Sequence, residues 1–262
     1  MISGGTRLFM IVANPVRSVR TPQVLNARFT ERGLDSVIVP VEVGGAGLVP
    51  FVTAARHMTN LQGLVISHPH KIAMARLCDE LSERAAEIGA VNAVRRTVDG
   101  KLQADMTDGL GFVRGLQAAG IRLHGRDAYL LGAGDAAIAI AVEMVRSGAK
   151  SLRVHCANPD DTQRIVTHVA GVSSDVPVTA GTDDPTGNDL IINTIAPAAW
   201  QRSAQVLDIK KLSASMVAAE TYSIPETTPF LAAAASQGCK TCPGRFMLDN
   251  QMDLIAQFIG AI

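Results

Sequence analysis

The segment Tyr129-Leu-Leu-Gly-Ala-Gly-Asp-Ala-Ala137 has residue types and a spacing that suit one kind of chemistry. An apolar strand runs into G-x-G-x-x-A and then into a helical segment, which would set a pyrophosphate on a helix N-terminus. Gly132 permits the tight turn, Gly134 lets the backbone approach the phosphates, and Ala137 permits close packing of helix on sheet. Ala133, Asp135 and Ala136 complete the loop. Asp135 is awkward, because its carboxylate would lie near the phosphates unless it points away or caps the helix. The end of the following strand should meet the adenosine ribose. There the chain reads Ala157-Asn158-Pro159-Asp160-Asp161. Acidic residues suit the free 2′-hydroxyl of NAD, while Arg164 is close enough in sequence to serve the 2′-phosphate of NADP. The expected cofactor is therefore NADP or NAD, with the preference open. Without a nucleotide, Asp160 and Asp161 simply open the next helix near its N-cap.

Other reactive residues stand at tight points. Ser67-His-Pro-His-Lys71 follows an apolar run, Asn92 precedes another, Asp105-Met-Thr-Asp108 follows that, and Gln251 lies near the C-terminus. Lysine and aspartate can exchange protons. Taken singly, however, Lys71 reads as a solvated lysine, Asn92 as a turn residue and Asp108 as a helix N-cap. His68 and His70 read as structural rather than metal-binding. Cys239 and Cys242 form a C-x-x-C pair, but no second pair or histidine couple completes a tetrahedral metal site. No metal is expected, and Cys78, Cys156, Cys239 and Cys242 are expected as free thiols of a reducing compartment.

These residues are positioned by short apolar runs alternating with longer amphipathic segments. Runs at Leu8–Ala13, Val37–Pro40, Leu64–Ser67, Tyr129–Leu131, Leu152–Cys156, Leu190–Asn193 and Met216–Ala219 read as buried parallel strands. Helices are expected near 22–33, 48–58, 71–84, 107–119, 136–148, 160–170, 227–237 and 246–260. The alternation predicts an α/β fold with parallel sheets. The glycine loop's strand starts near Asp127, so the long stretch before it must form its own α/β unit. We expect two domains with a cleft between them. Residues 1–108 form the substrate-binding and catalytic part, joined by a C-terminal helix over about 239–262. Residues 109–238 form a Rossmann-type nucleotide-binding domain.

The 262-residue chain is 47 % apolar and 18 % charged, which excludes a disordered chain. Lys+Arg and Asp+Glu balance at 24 each, leaving no electrostatic footprint for nucleic acid or anionic membrane. With no apolar run of membrane length and no leader pattern, the expectation is a cytoplasmic protein, monomer or homodimer.

The ordered set of motifs resembles the shikimate dehydrogenase family. Its N-V-T-x-P-H-K resembles Val65-Ile-Ser67-His-Pro69-His70-Lys71, and its G-A-V-N-T resembles Gly89-Ala-Val-Asn92-Ala. Its N-T-D-G-x-G resembles Met106-Thr107-Asp108-Gly109-Leu-Gly111. Its G-A-G-G-A resembles Gly132–Ala136. Its P-x-x-T-P resembles Pro225-Glu-Thr-Thr228-Pro229, and its G-x-x-M-L-x-x-Q resembles Gly244-Arg-Phe-Met247-Leu248-Asp-Asn-Gln251. Each is weak alone, but they occur in the family order across residues 14 to 251. The resemblance implies a two-domain NAD(P)-dependent oxidoreductase that interconverts a small cyclic hydroxy acid and its keto form. Shikimate and quinate are the first candidates. It also implies Lys71 and Asp108 as the catalytic pair. Ser67, Asn92 and Gln251 would hold ring hydroxyls.

The departures fall on the carboxylate side. The family's N-P-x-x-H-S-x-S-P loop reads Asn14-Pro-Val-Arg17-Ser18-Val19-Arg20-Thr21-Pro22. Val19 thus replaces one carboxylate-binding serine and Thr21 the other. The family's D-x-x-Y-x-P reads Glu220-Thr-Tyr222-Ser223-Ile-Pro225, with Ser223 in the tyrosine's place. Each lost hydrogen bond to a carboxylate weakens binding by about 1.5–3 kcal/mol. Arg17, Arg20, Ser18 and Tyr222 are the candidates to compensate. The residues therefore imply the chemistry more firmly than the substrate. A ligand-sensing paralogue without turnover is the alternative, and an intact Lys71 and Asp108 argue against it. A folate-linked dehydrogenase shares the layout but not the ordered polyol motifs.

Overall fold

The computed structural model describes residues 2–17, 19–200 and 206–262. The chain forms two compact units, Met1–Thr107 with Met252–Ile262, and Asp108–Gln251. The first contains β1 (Arg7–Ala13), α1 (Thr21–Glu31), β2 (Ser36–Glu42), α2 (Leu48–His57), β3 (Leu61–Ile66), α3 (Lys71–Ala75), β4 (Glu80–Leu81), α4 (Glu83–Ile88), β5 (Ala93–Arg96) and β6 (Leu102–Asp105). Its sheet order is β2-β1-β3-β5-β6-β4. Strands β2, β1 and β3 run parallel, but β5 is antiparallel to both β3 and β6. The expectation of purely parallel sheets is thus corrected here. Ala93–Arg96 and Leu102–Asp105 carry outward polar residues, so they lack the apolar run that marks a buried parallel strand. A turn with Gly100 at φ +84 joins them.

The expected helix over 71–84 is also broken. The chain leaves the helix after Ala75, and Asp79 N–H bonds Leu102 O to bring in β4. The Ser82 hydroxyl then accepts from Ala85 N–H and starts α4 afresh. Buried Phe9, Leu25, Phe29, Ile38, Leu64 and Ile66 fill the core, with the Phe9 and Phe29 rings 5.9 Å apart. The C-terminal residues pack on this sheet. A Cβ at Gly63 would lie 2.9 Å from Ile259 Cβ, so only glycine leaves room there.

The second unit contains α5 (Asp108–Ala118), β7 (Asp127–Leu131), α6 (Asp135–Arg146), β8 (Ser151–His155), α7 (Pro159–Ala170), β9 (Val178–Ala180), β10 (Leu190–Asn193), α8 (Pro197–Trp200), β11 (Val217–Glu220), α9 (Pro229–Ser236) and β12 (Lys240–Cys242). Helix α10 (Arg245–Phe258) belongs to it as far as Gln251. Its sheet is parallel throughout, in the order β12-β11-β10-β7-β8-β9. This is the doubly wound order of a dinucleotide-binding fold, with the switch point between β7 and β10. Residues 239–251 lie in this unit rather than in the first, because β12 extends the sheet by pairing with β11. Tyr129, Leu131, Ile191 and Phe230 are fully buried on one face, and Trp200 meets Phe230 edge-on at 5.2 Å.

Candidate active site

In the first unit the reactive residues sit where strands end. Ser67 follows β3, and its N–H bonds Val12 O in β1. Asn14 N–H bonds His68 O, so the 14–22 loop and the 67–71 loop lie side by side. His70 is buried and its Nε2 lies 2.7 Å from Val43 O, which makes it a structural residue as expected. Lys71 opens α3 half-buried, and its carbonyl accepts from Val91 N–H.

That bond draws Lys71 to the next residue, Asn92. Because β5 is antiparallel to its neighbours, its first residues lie beside the last residues of β3 and β6. Ile66 N–H bonds Asn92 O, and Asn92 N–H bonds Asp105 O. The Asn92 side chain is buried against Thr107. It accepts from Thr107 N–H at 2.9 Å, and its Nδ2 donates to Thr107 Oγ1 at 3.1 Å. Buried Asp105 secures the end of β6. It accepts from Ser82 Oγ, Arg84 Nη2 and Met106 N–H at 2.5–2.7 Å.

In the second unit the structure joins two residues far apart in sequence. Gln251 Nε2 donates to Asp108 Oδ1, and both side chains are buried. Helix α5 carries Gly109, Gly111 and Gly115 on the faces that meet α6 and α10. A Cβ on Gly111 would stand 2.6 Å from Gln251 Cβ, and one on Gly115 would stand 2.7 Å from Phe246 C. The D-G-x-G spacing thus serves the close approach that lets Gln251 reach Asp108.

The glycine loop has the geometry a pyrophosphate needs. Gly132 sits at φ +114, and a Cβ there would strike Thr194 Oγ1 across the switch point. Thr194 is fixed in turn by its N–H and hydroxyl, which both donate to Leu131 O. Gly134 caps α6 in extended conformation with open space around it. Asp135 lies in the first turn of α6, where Oδ1 accepts from Ala136 N–H at 3.0 Å. The N-cap itself is Gly134, without a side-chain cap bond. Ala133 and Ala136 are half-buried. At the end of β8, Asn158 caps α7 by accepting from Asp160 N–H at 3.0 Å, and Arg164 pairs with Asp161 at 3.0 Å.

The residues expected to meet a substrate carboxylate are divided between the two units. Val19 is half-buried, Thr21 is buried at the start of α1, and Arg17 and Arg20 are exposed. Ser18 lies outside the described residues. Val16 N–H donates to Glu42 Oε2 at 2.8 Å, so a carboxylate already borders this loop. In the second unit Ser223 is half-buried and Tyr222 exposed. They hang from Glu220, a fully buried carboxylate at the end of β11. Its Oε2 accepts from Asn193 Nδ2 (2.9 Å) and Thr228 Oγ1 (2.7 Å), and its Oε1 from the backbone N–H groups of Thr221 (2.8 Å) and Tyr222 (3.1 Å). Burial raises the Glu220 pKa against the pull of these four donors.

Thr107, Asn193, Thr194 and the anchoring role of Glu220 escape a reading of the sequence. Only their positions at strand ends could have marked them, since their partners lie 15 to 63 residues away in sequence. The four cysteines are free thiols. Cys239 Sγ donates to Ser213 O, and burial pushes Cys242 up to about 11 and Cys78 up to about 12. Among the described residues no helix is long and apolar enough to cross a membrane.

Comparison with known proteins agrees with this architecture. The model of the shikimate dehydrogenase substrate binding domain matches residues 11–94. The shikimate dehydrogenase (NADP(+)) of Rhodospirillum rubrum is 33 % identical over 264 residues, spanning 96 % of this chain and 90 % of that protein. Among solved structures, ligand-free 5-ketofructose reductase of a Gluconobacter species is 30 % identical with a TM-score of 0.83, covering 97 % of this chain and 93 % of that one. Shikimate 5-dehydrogenase of Listeria monocytogenes, in complex with shikimate and NAD, is 26 % identical with a TM-score of 0.88, covering 100 % and 94 %. With a parallel sheet in dinucleotide-binding order behind its glycine loop and relatives matched over nearly their whole length, this chain belongs to the shikimate dehydrogenase family.

Proposed function

We propose that the chain oxidises a secondary alcohol of a small polyhydroxylated ring acid, such as shikimate or quinate, and reduces the corresponding ketone, with NAD or NADP as partner. The observation that carries this reading is the retention of the whole hydroxyl-side set on buried, mutually locked supports. Asn92 is held by Thr107, Asp108 by Gln251, and the Lys71 carbonyl by Val91 beside Asn92. When bound, the nicotinamide exchanges a hydride with the alcohol carbon. Lys71 takes up the hydroxyl proton as the carbonyl forms and returns it in the reverse direction, with Asp108 sharing the acid–base work. Ser67, Asn92 and Gln251 orient the neighbouring hydroxyls. The nucleotide falls to residues 132–136, with Asn158, Asp160 and Arg164 at its ribose end. Thr21, Val19 and Ser223 border the substrate's acid end.

The test is absorbance of the reduced cofactor with shikimate and quinate, each with NAD and NADP, beside Lys71→Ala. Turnover that collapses in the variant is the expected result. Turnover unchanged in Lys71→Ala would refute the assigned chemistry.

One observation favours a second reading of the substrate. Val19 and Ser223 remove carboxylate donors, Glu42 adds a carboxylate beside the loop, and a solved relative at 30 % identity is a 5-ketofructose reductase. 5-Ketofructose is a polyol ketone without a carboxylate. Its reduction, with no turnover of either acid, would select this reading while leaving the role of Lys71 intact.

A further inference from the structure

We infer that this chain selects NAD over NADP, through the acidic first turn of α7. The inference rests on the nucleotide-binding reading above and concerns only its ribose end. Several relatives carry names that specify NADP(+) and one solved relative is in complex with NAD, so the relatives leave the choice to this chain's own residues.

Strands β7 and β8 end side by side. Gly132 N–H donates to His155 O at 2.9 Å, so the glycine loop and the segment after His155 are neighbours at the carboxyl edge of the sheet. In this fold the adenosine ribose meets the residues that follow the second strand, and their charge decides whether a 2′-hydroxyl or a 2′-phosphate is accepted. Here three residues of that segment have no backbone N–H left for a phosphate. Pro159, the first residue of α7, has no N–H to offer. The N–H of the next residue, Asp160, is taken by Asn158 Oδ1 at 3.0 Å. The loop before it is bonded to itself, with Cys156 N–H on Thr162 Oγ1 at 3.1 Å and Cys156 Sγ on Asn158 O at 3.0 Å.

The charge balance points the same way. Asp160 and Asp161 put two carboxylates in the first turn of α7. Arg164 is the cation within reach in sequence, and it faces Asp161 at 3.0 Å. Both side chains are about half exposed, so that bond itself is weak. What matters is that two carboxylates face one arginine, so the first turn of α7 keeps a net negative charge. A 2′-phosphate would bring a charge of about −1.5 to −2 against these carboxylates. A free 2′-hydroxyl donates to one of them instead.

The experiment separates the ribose end from catalysis by using fragments that lack nicotinamide. Calorimetric titration of the intact chain with ADP-ribose and with 2′-phospho-ADP-ribose should show the unphosphorylated compound binding at least about tenfold more tightly, a difference of about 1.4 kcal/mol. The double variant Asp160→Ser, Asp161→Asn removes both carboxylates and releases Arg164. It should narrow or reverse the ratio, and it should weaken ADP-ribose itself by about tenfold or more, because the charged acceptor of its 2′-hydroxyl is gone. Equal or tighter binding of the 2′-phosphorylated compound by the unaltered chain would overturn the inference and leave the proposed function standing. Binding of neither compound would overturn both. A ratio unmoved in the double variant would overturn the assignment to these two residues.

Discussion

Glu220 is the strongest single test of how the second unit holds the loop after β11, which carries the proposed substrate-side Ser223. Glu220→Ala removes an acceptor for four donors. The Thr221 and Tyr222 N–H groups are partly accessible, so water can replace their bonds, but Asn193 Nδ2 and Thr228 Oγ1 are buried. Orphaning each buried donor costs about 1–3 kcal/mol. The expected loss is therefore about 2–6 kcal/mol before any cavity term, and a chain of this size loses about 2–4 °C of melting temperature per kcal/mol. Glu220→Gln is the informative companion. All four groups bonded to the carboxylate donate to it, so an amide must turn its NH2 towards one of the two pairs and incur roughly half the loss. Melting followed by circular dichroism should rank the proteins wild type, Gln, Ala. The Michaelis constant should rise more than turnover falls, because Tyr222 and Ser223 hang from this anchor while Lys71 does not. A Gln variant as stable as the wild type would show that the buried group is held as the neutral acid. An Ala variant melting within about 2 °C of wild type would refute the anchoring argument altogether.

Gly111→Ala places a methyl 2.6 Å from Gln251 Cβ, and overpacking of this kind costs about 1–3 kcal/mol. Both melting temperature and kcat/KM should fall, and an unchanged kcat/KM would mean that the Gln251–Asp108 bond is not needed. Asp135→Ser removes a carboxylate from the N-terminal turn of α6 and should tighten ADP-ribose binding on the order of threefold to tenfold; weaker binding in a calorimetric titration would count against a pyrophosphate at this turn. Burial lowers the His155 pKa below its ordinary 6.5, so the unfolded chain takes up the proton first as pH falls. The stability tied to a neutral His155 is thus present above about 6.5 and is lost as pH falls towards the folded value. His155→Gln should flatten part of the drop in melting temperature between about pH 7 and pH 5. Cys78 and Cys242, pushed up to about 12 and about 11 by burial, should resist a thiol reagent at pH 8 in the folded protein and react on unfolding.

What was legible in the sequence depended on whether a signal was local. The strand–turn–helix at 127–146 announces itself because Gly132, Gly134 and Ala137 each answer a steric need within one turn. The parallel strands read out as apolar runs because they are covered on both faces. The β5–β6 hairpin did not, since Arg95, Arg96 and Gln103 carry polar groups outward, and Arg95 bonds Gln103 across the pair. The break at 76–82 hid because Lys71 to Arg84 has helical propensity throughout. Only tertiary pairing of Asp79 with Leu102 diverts it. At the site, residue types were legible and partners were not. Nothing near Asp108 in sequence points to Gln251, and nothing near Asn92 points to Thr107.

That asymmetry bears on how the family's chemistry and its specificity can separate. Asn92 is buried against Thr107, Asp108 is buried against Gln251, and α5 has no room for a Cβ at Gly111. A substitution among them disturbs packing as well as catalysis. Val19, Arg17, Arg20 and Tyr222 are half-buried or exposed, so a change there disturbs the core less. Asp160 and Arg164 are likewise exposed at the nucleotide end. Surface substitutions of this kind usually shift stability by less than about 0.5 kcal/mol. The same fold can therefore keep its buried polar pairs, including the proposed Asp108, in place while its choice of acid, neutral ketone or nucleotide drifts. The departures from the family motifs at Val19 and Ser223 fall at positions outside the buried core.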